Sequence, residues 1–518
     1  MKSIKFVTRS LALGLLLPIV SLAQIKSNEI DQLVESALKA FNVPGIAVGV
    51  IKDGKLVHAK GYGVRNLNTK EKVDENTFFG VASNSKAFTT AALAMLVDEG
   101  KLNWDDKVRK YIPNFKLSTP YITEEFTVRD LVCHRSGLGL GAGDLMMWPD
   151  SNKFTKNDII IGLQYLEPVS SFRTKFDYNN NFFIVAGEVV NVVSGMIWEE
   201  FIENKIMRPI GMKESAASLS RLKNKSNAIV PHAPIDGKLQ VIDIGWSETA
   251  NAAGGIWTNI NELSKWVITH LNKGKYGPDL KSTLFSEKQQ TEMWKPTTLL
   301  ADRNPKEYNT HFSAYGLGWF LSDINGKLQV THTGGLAGIV TQVIMFPEIN
   351  LGIIVLTNQQ SGAAFTAISN TIKESYLGLP KKDWVKDLSE RMNKFHQKCD
   401  EIVKDVYSTV DANKSQTPDL NNYIGKYQDA WFGNVSLSKQ GDVFHFRAEK
   451  SQRMRGTLHY YKANTFVVKW DNRAFDADAF LKFSLDENGK ATGFTMEAFS
   501  PITDFSFDFQ DLNFNSTK

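Results

Sequence analysis

Cysteine is nearly absent, with only Cys133 and Cys399 in 518 residues. Two thiols cannot build a disulfide framework or a Cys-rich metal centre, so stability must come from buried apolar cores. Charge of one sign is also lacking. The formal balance is +4, and Lys2, Lys5 and Arg9 supply most of it, so no basic surface for nucleic acid is implied. No long hydrophobic run stands out: the apolar stretch Leu11 to Leu22 contains Pro18 and is too short to span a bilayer. The nine histidines include no close pair at the helical spacing of metal ligands. Gly254-Gly255 is not followed by the Gly-Lys-Ser/Thr of a phosphate loop, and no solenoid repeat or low-complexity tract appears. What remains is an ordinary globular composition, 42% hydrophobic and 22% charged, in a chain long enough for roughly two to four domains.

The first residues have their own pattern. A basic start, Met1 to Arg9, leads into the apolar stretch and then Ser21-Leu22-Ala23, the arrangement of a secretory signal cleaved after Ala23. No Cys directly follows it, so no lipid anchor is implied, and export to the periplasm or beyond is expected.

Next, Ile30, Leu33, Val34, Ala37, Leu38 and Phe41 recur at helical spacing after Ser27, which is expected as the N-cap. Gly45–Lys52 and Lys55–Gly63 flank Asp53-Gly54, a hairpin signal. A matching set lies far downstream: Leu317–Leu321 and Lys327–His332 around Asn325-Gly326, then Thr341–Phe346 and Leu351–Thr357. Strands from both ends are therefore expected to share one antiparallel sheet, with a largely helical region inserted between them. Residues Val385–Val410 read as a charged helix and Lys414–Asp419 as a polar linker. The tail beyond has roughly twice the aromatic density of the rest and short alternating runs, Val435–Ser438, Val443–Phe446, Thr465–Trp470, Phe480–Leu485 and Thr492–Ala498. That is the pattern of a small all-β sandwich or barrel.

Chemistry concentrates in three places. In Phe79-Gly80-Val81-Ala82-Ser83-Asn84-Ser85-Lys86, opening an apolar helix that runs to Gly100, Ser83 and Lys86 share a helix face. A desolvated lysine can take the serine's proton, and the helix start offers a backbone donor to an oxyanion. Alone the motif is weak: it recurs at Ser36/Lys39, Ser220/Lys223 and Ser436/Lys439, and Ser83 could simply cap a helix. Tyr178-Asn179-Asn180 precedes the apolar helix Phe182 to Val193. A phenol near an ammonium group can shed and shuttle a proton, and Asn180 can hold both the lysine and a substrate carbonyl. Equally, the pair could be a helix-start tyrosine with a capping asparagine. His332-Thr333-Gly334-Gly335 ends a strand, and its glycines allow a strand edge to approach a ligand closely. An ordinary Gly-rich turn would look the same. Cys133-His134 is read as a packed thiol beside a histidine, since chain neighbours rarely form a nucleophile–base pair.

Together and in this order, the three elements resemble the serine β-lactamase and penicillin-binding-protein superfamily, whose pattern is Ser-x-x-Lys, Tyr-x-Asn or Ser-x-Asn, then Lys/His-Thr/Ser-Gly. Their wide spacing is similar to the class C branch and its peptidase and esterase relatives. So are Leu131-Val132-Cys133-His134-Arg135-Ser136-Gly137-Leu138, Ala253-Gly254-Gly255-Ile256-Trp257-Thr258 and Tyr315-Gly316-Leu317-Gly318-Trp319. The resemblance covers roughly residues 28 to 375. The tail, with Tyr423-Ile424-Gly425-Lys426-Tyr427 at its start, resembles the lipocalin-like β-domain of some members.

The resemblance implies an α/β (α+β) serine β-lactamase-like catalytic domain, an antiparallel sheet flanked by helices plus a helical subdomain, followed by a small all-β barrel-like domain. The implied division is signal peptide 1–23, hydrolase domain 24–380, helical linker 381–414 and β-domain 415–518. It also implies an acyl-enzyme on Ser83, with Lys86 and Tyr178 managing protons and Asn180, His332, Thr333 and Gly334 holding substrate. The N–H groups of Ser83 and Gly335 would form the oxyanion hole, and no metal or organic cofactor is called for. Partners are expected to be a small-molecule or peptide substrate, with no nucleic acid and no transmembrane segment after cleavage.

Class C β-lactamases carry Lys where this chain has His332, and a histidine is mostly neutral at pH 7. That argues against efficient β-lactam hydrolysis and for a peptidase on D-amino-acid-containing peptides. An esterase, a weak β-lactamase and an acylated sensor without turnover are the alternatives. On this reading, protonated His332 binds acidic substrates less tightly as pH climbs through roughly 6 to 7.5. The β-domain is expected to fold separately and leave small-ester acylation intact when removed, unless it supplies part of the active-site wall.

Overall fold

The computed structural model describes residues 24–301 and 306–517, so the expected signal peptide, 1–23, lies outside the described residues. Helix α1 (Ser27–Ala40) turns Ile30, Val34 and Ala37 into the core. Its cap is Lys26, whose N–H donates to Glu29 Oε2 at 2.8 Å. Ser27, expected in that role, sits inside the first turn, where its hydroxyl is taken by His58 Nδ1 at 2.8 Å.

Strands β1 (Gly45–Lys52) and β2 (Lys55–Gly63) form the expected hairpin, with Asp53 and Gly54 at φ 52° and 74°, as a type I′ turn requires. The sheet is completed by β3 (Thr298–Leu299), β4 (Ser313–Tyr315), β5 (Phe320–Ile324), β6 (Lys327–Leu336), β7 (Ile339–Phe346) and β8 (Leu351–Thr357). Its order is β2-β1-β8-β7-β6-β5-β4-β3, antiparallel throughout. Strands from both chain ends thus lie side by side. β5 begins later than Leu317 because Gly316–Trp319 is a turn, closed by the Gly316 N–H donating to Trp319 O at 2.8 Å. β6 runs past His332 to Leu336.

The helices that matter for the site are α2 (Ser85–Asp98), α3 (Asn181–Ser194) and α4 (Ile260–Leu271), followed by α5 (Gly362–Leu377) and α6 (Trp384–Asn413). α1 and α5 cover one face of the sheet and α4 the other. Covered on both sides, β1 and β8 are buried almost throughout, which is why they read as continuous apolar runs. α2 and α3 pack together in the helical region beyond α4. The ring of Phe88 on α2 stacks on Trp266 of α4, centroids 3.9 Å apart, tying the helical region to the sheet layer.

The tail is a closed barrel of eight strands in simple up-and-down order: β9 (Gly425–Asp429), β10 (Gly433–Gln440), β11 (Val443–Ala448), β12 (Arg455–Lys462), β13 (Thr465–Trp470), β14 (Ala479–Leu485), β15 (Ala491–Ala498) and β16 (Asn513–Ser516). Closure leaves no free edge. Tyr427, Phe444, Phe446, Phe466, Trp470 and Phe494 are buried, which accounts for the aromatic density. α6 is more than a spacer. Its start is anchored to the hydrolase domain by Trp384 Nε1 donating to Glu374 Oε1 (2.7 Å), and its end to the barrel by Asn413 Nδ2 donating to Tyr461 O (2.7 Å). No single described helix is long and apolar enough to cross a membrane.

Removing the ring that joins α2 to α4 should be costly. Phe88→Ala is expected to lose about 3–5 kcal/mol of stability, measured as a lower denaturant midpoint with unchanged slope.

Candidate active site

Ser83 does not begin the α-helix. It lies on the 3₁₀ turn Ala82–Asn84 just before α2. Ala82 holds φ at 49°, a left-handed conformation unfavourable for a side-chain-bearing residue, so the surrounding structure must impose it. The clamps are visible. Val81 N–H donates to Ile256 O (2.9 Å), Ile256 N–H donates to Ser85 Oγ (3.1 Å), and Asn84 Nδ2 donates to Thr341 Oγ1 on β7 (2.9 Å). The α2 N-terminus has no side-chain cap, so Ser83 is not spent on capping and remains partly exposed.

Lys86 is 0% exposed. Its Nζ donates to Ser83 Oγ at 3.0 Å, Asn180 Oδ1 at 2.7 Å and Ala253 O at 2.9 Å. Burial brings its pKa down to about 7, against the opposing pull of the Asp144 carboxylate. At neutral pH a large share of this lysine is therefore an unprotonated amine touching the Ser83 hydroxyl.

Tyr178 is brought to the same place, but not as an acidified phenol. Lys86 Nζ sits over its ring, 4.8 Å from the centroid. Burial raises the phenol pKa well above its ordinary value, and the hydrogen bond with Ser83 offsets only part of that. The expected easier loss of its proton is thus corrected: Tyr178 stays protonated. Behind it, the tilted ring of His134 lies 4.2 Å away centroid to centroid, with Nδ1 accepting the Asn179 N–H at 3.1 Å. Buried Cys133 is the packed thiol expected, its pKa pushed up to about 12 by burial.

Three consecutive asparagines bind the loop 137–147. Asn179 Nδ2 and Asn181 Nδ2 both donate to Ala142 O (2.8 and 3.1 Å), while Asn180 Nδ2 donates to Asp144 Oδ2 at 2.7 Å. Asn180 therefore fixes the lysine as expected, but one of its N–H groups is already committed to a carboxylate rather than to substrate.

His332 departs most from expectation. It is 1% exposed. Its Nδ1 donates to Thr333 O (2.6 Å), so Nε2 accepts from the Tyr315 hydroxyl (3.0 Å). Burial and the nearby Lys86 charge depress its pKa to about 3. Burial therefore opposes the expected imidazolium grip on a substrate carboxylate near neutrality. On β6, Thr333 and Gly335 are exposed while His332 and Gly334 point inward. A Cβ on Gly334 would lie 2.2 Å from Val81 O, whereas one on Gly335 would meet nothing within 4 Å. Gly334 thus admits the protein's own Ser83 turn rather than a ligand. β6 pairs with β5 only as far as Thr331, leaving one side of 332–336 without a partner strand where the expected substrate edge would be.

Two contributors were not anticipated. Asp144 is one. The other is the barrel segment between β15 and β16, which docks here. Phe505 packs edge-on to Tyr178 (5.8 Å between centroids), Ser506 Oγ donates to Asp144 Oδ2 (3.0 Å), and Asp508 Oδ2 accepts the Gly143 N–H (2.6 Å). The tail thus contacts residues of the site, as the second of the two expectations for it requires. A signal for Asp144 existed, since it is the one charge in the run Leu138–Trp148. Nothing in the tail's sequence marks Ser506. Among the described residues, no group of three or more His, Cys, Asp or Glu is placed to hold a metal ion.

A serine and a buried lysine at a helix start, packed beneath a central antiparallel sheet, define the β-lactamase-fold class of serine hydrolases. Residues 30–375 match the family described as Beta-lactamase, and the chain belongs to it. Residues 410–516 match a domain of unknown function, DUF3471. The unguisins hydrolase ungD of Aspergillus violaceofuscus is 26% identical over 444 residues, 79% of this chain and 76% of that protein. Protein flp of Staphylococcus aureus is 26% identical over 339 residues, 64% of this chain and 63% of its own. The octameric penicillin-binding protein homologue from Pyrococcus abyssi shares the fold, with TM-score 0.62 at 21% identity, covering 95% of this chain and 100% of that one.

The geometry of β6 leads to two expected outcomes. Gly334→Ala should displace the Ser83 turn and slow covalent labelling of Ser83 at least tenfold, roughly 1.4 kcal/mol or more, while Gly335→Ala should label normally. The His332 imidazole should show no NMR titration between about pH 8 and 5, where an ordinary histidine titrates.

Proposed function

We propose that this chain is an exported hydrolase that cleaves an amide or ester through an acyl-enzyme on Ser83, with D-amino-acid-containing peptides as its substrates. The observation that carries the reading is Lys86 Nζ, 3.0 Å from Ser83 Oγ and held near pKa 7 by burial. Neutral Lys86 takes the Ser83 proton as Oγ attacks the substrate carbonyl carbon. The oxyanion is received by the N–H groups of Ser83 and Gly335. When the tetrahedral intermediate collapses, Tyr178 gives its proton to the departing amine or alcohol and recovers one from the Lys86 ammonium. Water then attacks the acyl-serine, losing its proton to the same lysine, and the acid leaves with Ser83 restored.

The substrate class is supported by His332 in place of lysine. With its imidazole neutral, the third motif offers no cation to the carboxylate of a penicillin-like acid. A relative named as a hydrolase of unguisins adds support for hydrolytic turnover, and the basic-then-apolar N-terminus supports export.

Mass spectrometry with a serine-directed phosphonate tests the nucleophile. One adduct on the Ser83 peptide is expected, none in Ser83→Ala, and labelling slowed by about 10²–10⁴-fold in Lys86→Ala. Label on another residue would overturn the mechanism. Steady turnover of D-aminoacyl anilides in preference to their L counterparts is expected; a single burst would mean a sensor, and equal rates would remove the D-peptide assignment.

A further inference from the structure

A buried carboxylate beside a buried amine needs an explanation. Asp144 is 0% exposed, on a short turn entered through Gly143. Its Oδ2 accepts from Asn180 Nδ2 (2.7 Å) and from Ser506 Oγ of the barrel (3.0 Å), while Oδ1 has no hydrogen-bond partner among the described residues. Asn180 passes the connection on, since its Oδ1 accepts from Lys86 Nζ at 2.7 Å. A chain of hydrogen bonds thus runs from the barrel, through Asp144 and Asn180, to the amine that touches Ser83.

We propose that Asp144, held from the barrel by Ser506, is a positioning residue that sets the charge on Lys86, so that the docked barrel loop is a working part of the catalytic centre. The inference rests on the acyl-enzyme reading for its function, but the charge on Lys86 can be measured without it. The loop's approach is built in. A Cβ on Gly141 would lie 2.6 Å from Phe505 O, and Gly143 gives its N–H to Asp508. Asp144 and Lys86 are joined through Asn180, and the charge of each bears on the protonation of the other.

Other groups bear on that balance. Facing Lys86 are Tyr178, which stays protonated, and His134 and His332, both kept neutral by burial. Facing Asp144 are Lys86 and, from the barrel, Asp504 and Asp508. Burial raises Asp144 to about 7, while Asn180 and Ser506 stabilise its anion. Asp508 is itself pushed up to about 9, first by burial and then by Asp511, so it contributes little negative charge at neutral pH. Loss of the Asp144 anion removes an attraction on the Lys86 ammonium, and Lys86 must release its proton at lower pH. Loss of the Ser506 hydroxyl makes the Asp144 anion scarcer and acts in the same direction, more weakly.

The test is an NMR titration of the full chain carrying ¹⁵N-lysine, with the Lys86 signal assigned by its loss in Lys86→Ala. Asp144→Asn should move the Lys86 midpoint down by about one pH unit, Ser506→Ala by a smaller amount, and Ser506→Thr should restore the wild-type curve. Should Asp144→Asn fail to fold, Ser506→Ala against Ser506→Thr decides alone. An unmoved midpoint in Ser506→Ala, or a midpoint moved equally in Ser506→Thr, would overturn the proposal. Phosphonate labelling of Ser83 in the wild type reports separately on the acyl-enzyme reading.

Discussion

The site depends on one costly act, the removal of the Lys86 amine from water. An isolated ammonium in a dry interior loses several kcal/mol of solvation, and the fold answers with acceptors from three distant parts of the chain: Ser83, Asn180 and Ala253. Meeting those bonds requires α2 to start at Ser85, α3 to begin just after Asn180, and the Ala253 segment to close over them. Phe88 stacked on Trp266 keeps that assembly fixed against the sheet. The residual penalty lowers the lysine's proton affinity, which is the property a base for a serine hydroxyl needs.

The same dryness decides its neighbours. Beside a partly charged Lys86, a second cation would be repelled and poorly solvated, and His332 is accordingly neutral, with both ring nitrogens engaged by Thr333 O and the Tyr315 hydroxyl. Tyr178 keeps its proton because burial disfavours the phenolate. A single environment thus lowers the proton affinity of Lys86 and keeps Tyr178 protonated around Ser83, the two states the proposed mechanism needs. On the proposed mechanism, the third motif therefore works through the backbone of β6 rather than through charge.

Much of this was legible because it is local. Asp53-Gly54 and Asn325-Gly326 need positive φ and mark their hairpins, and both pairs have it. Ser83, Lys86 and Tyr178 stood out as chemically matched types and do converge. What the sequence did not disclose is tertiary. Ala253 acts through its carbonyl, which its side chain does not advertise. Ser506 is one serine among many until the barrel docks. Arg455–Lys462 is a strand whose charged ends mask its alternation, and Gly316–Trp319 is a turn because Gly318 must take positive φ beside Thr90 of α2. The state of His332 comes from burial, which no spacing records.

The account stands or falls on neutral Lys86 acting as the base for Ser83. The pH dependence of Ser83 acylation by a neutral phosphonate in the unmodified protein tests it most directly. The rate is predicted to climb through an apparent pKa close to 7 and then level off. A rate that keeps rising towards about pH 10, where an ordinary lysine titrates, or one that ignores pH altogether, would contradict it.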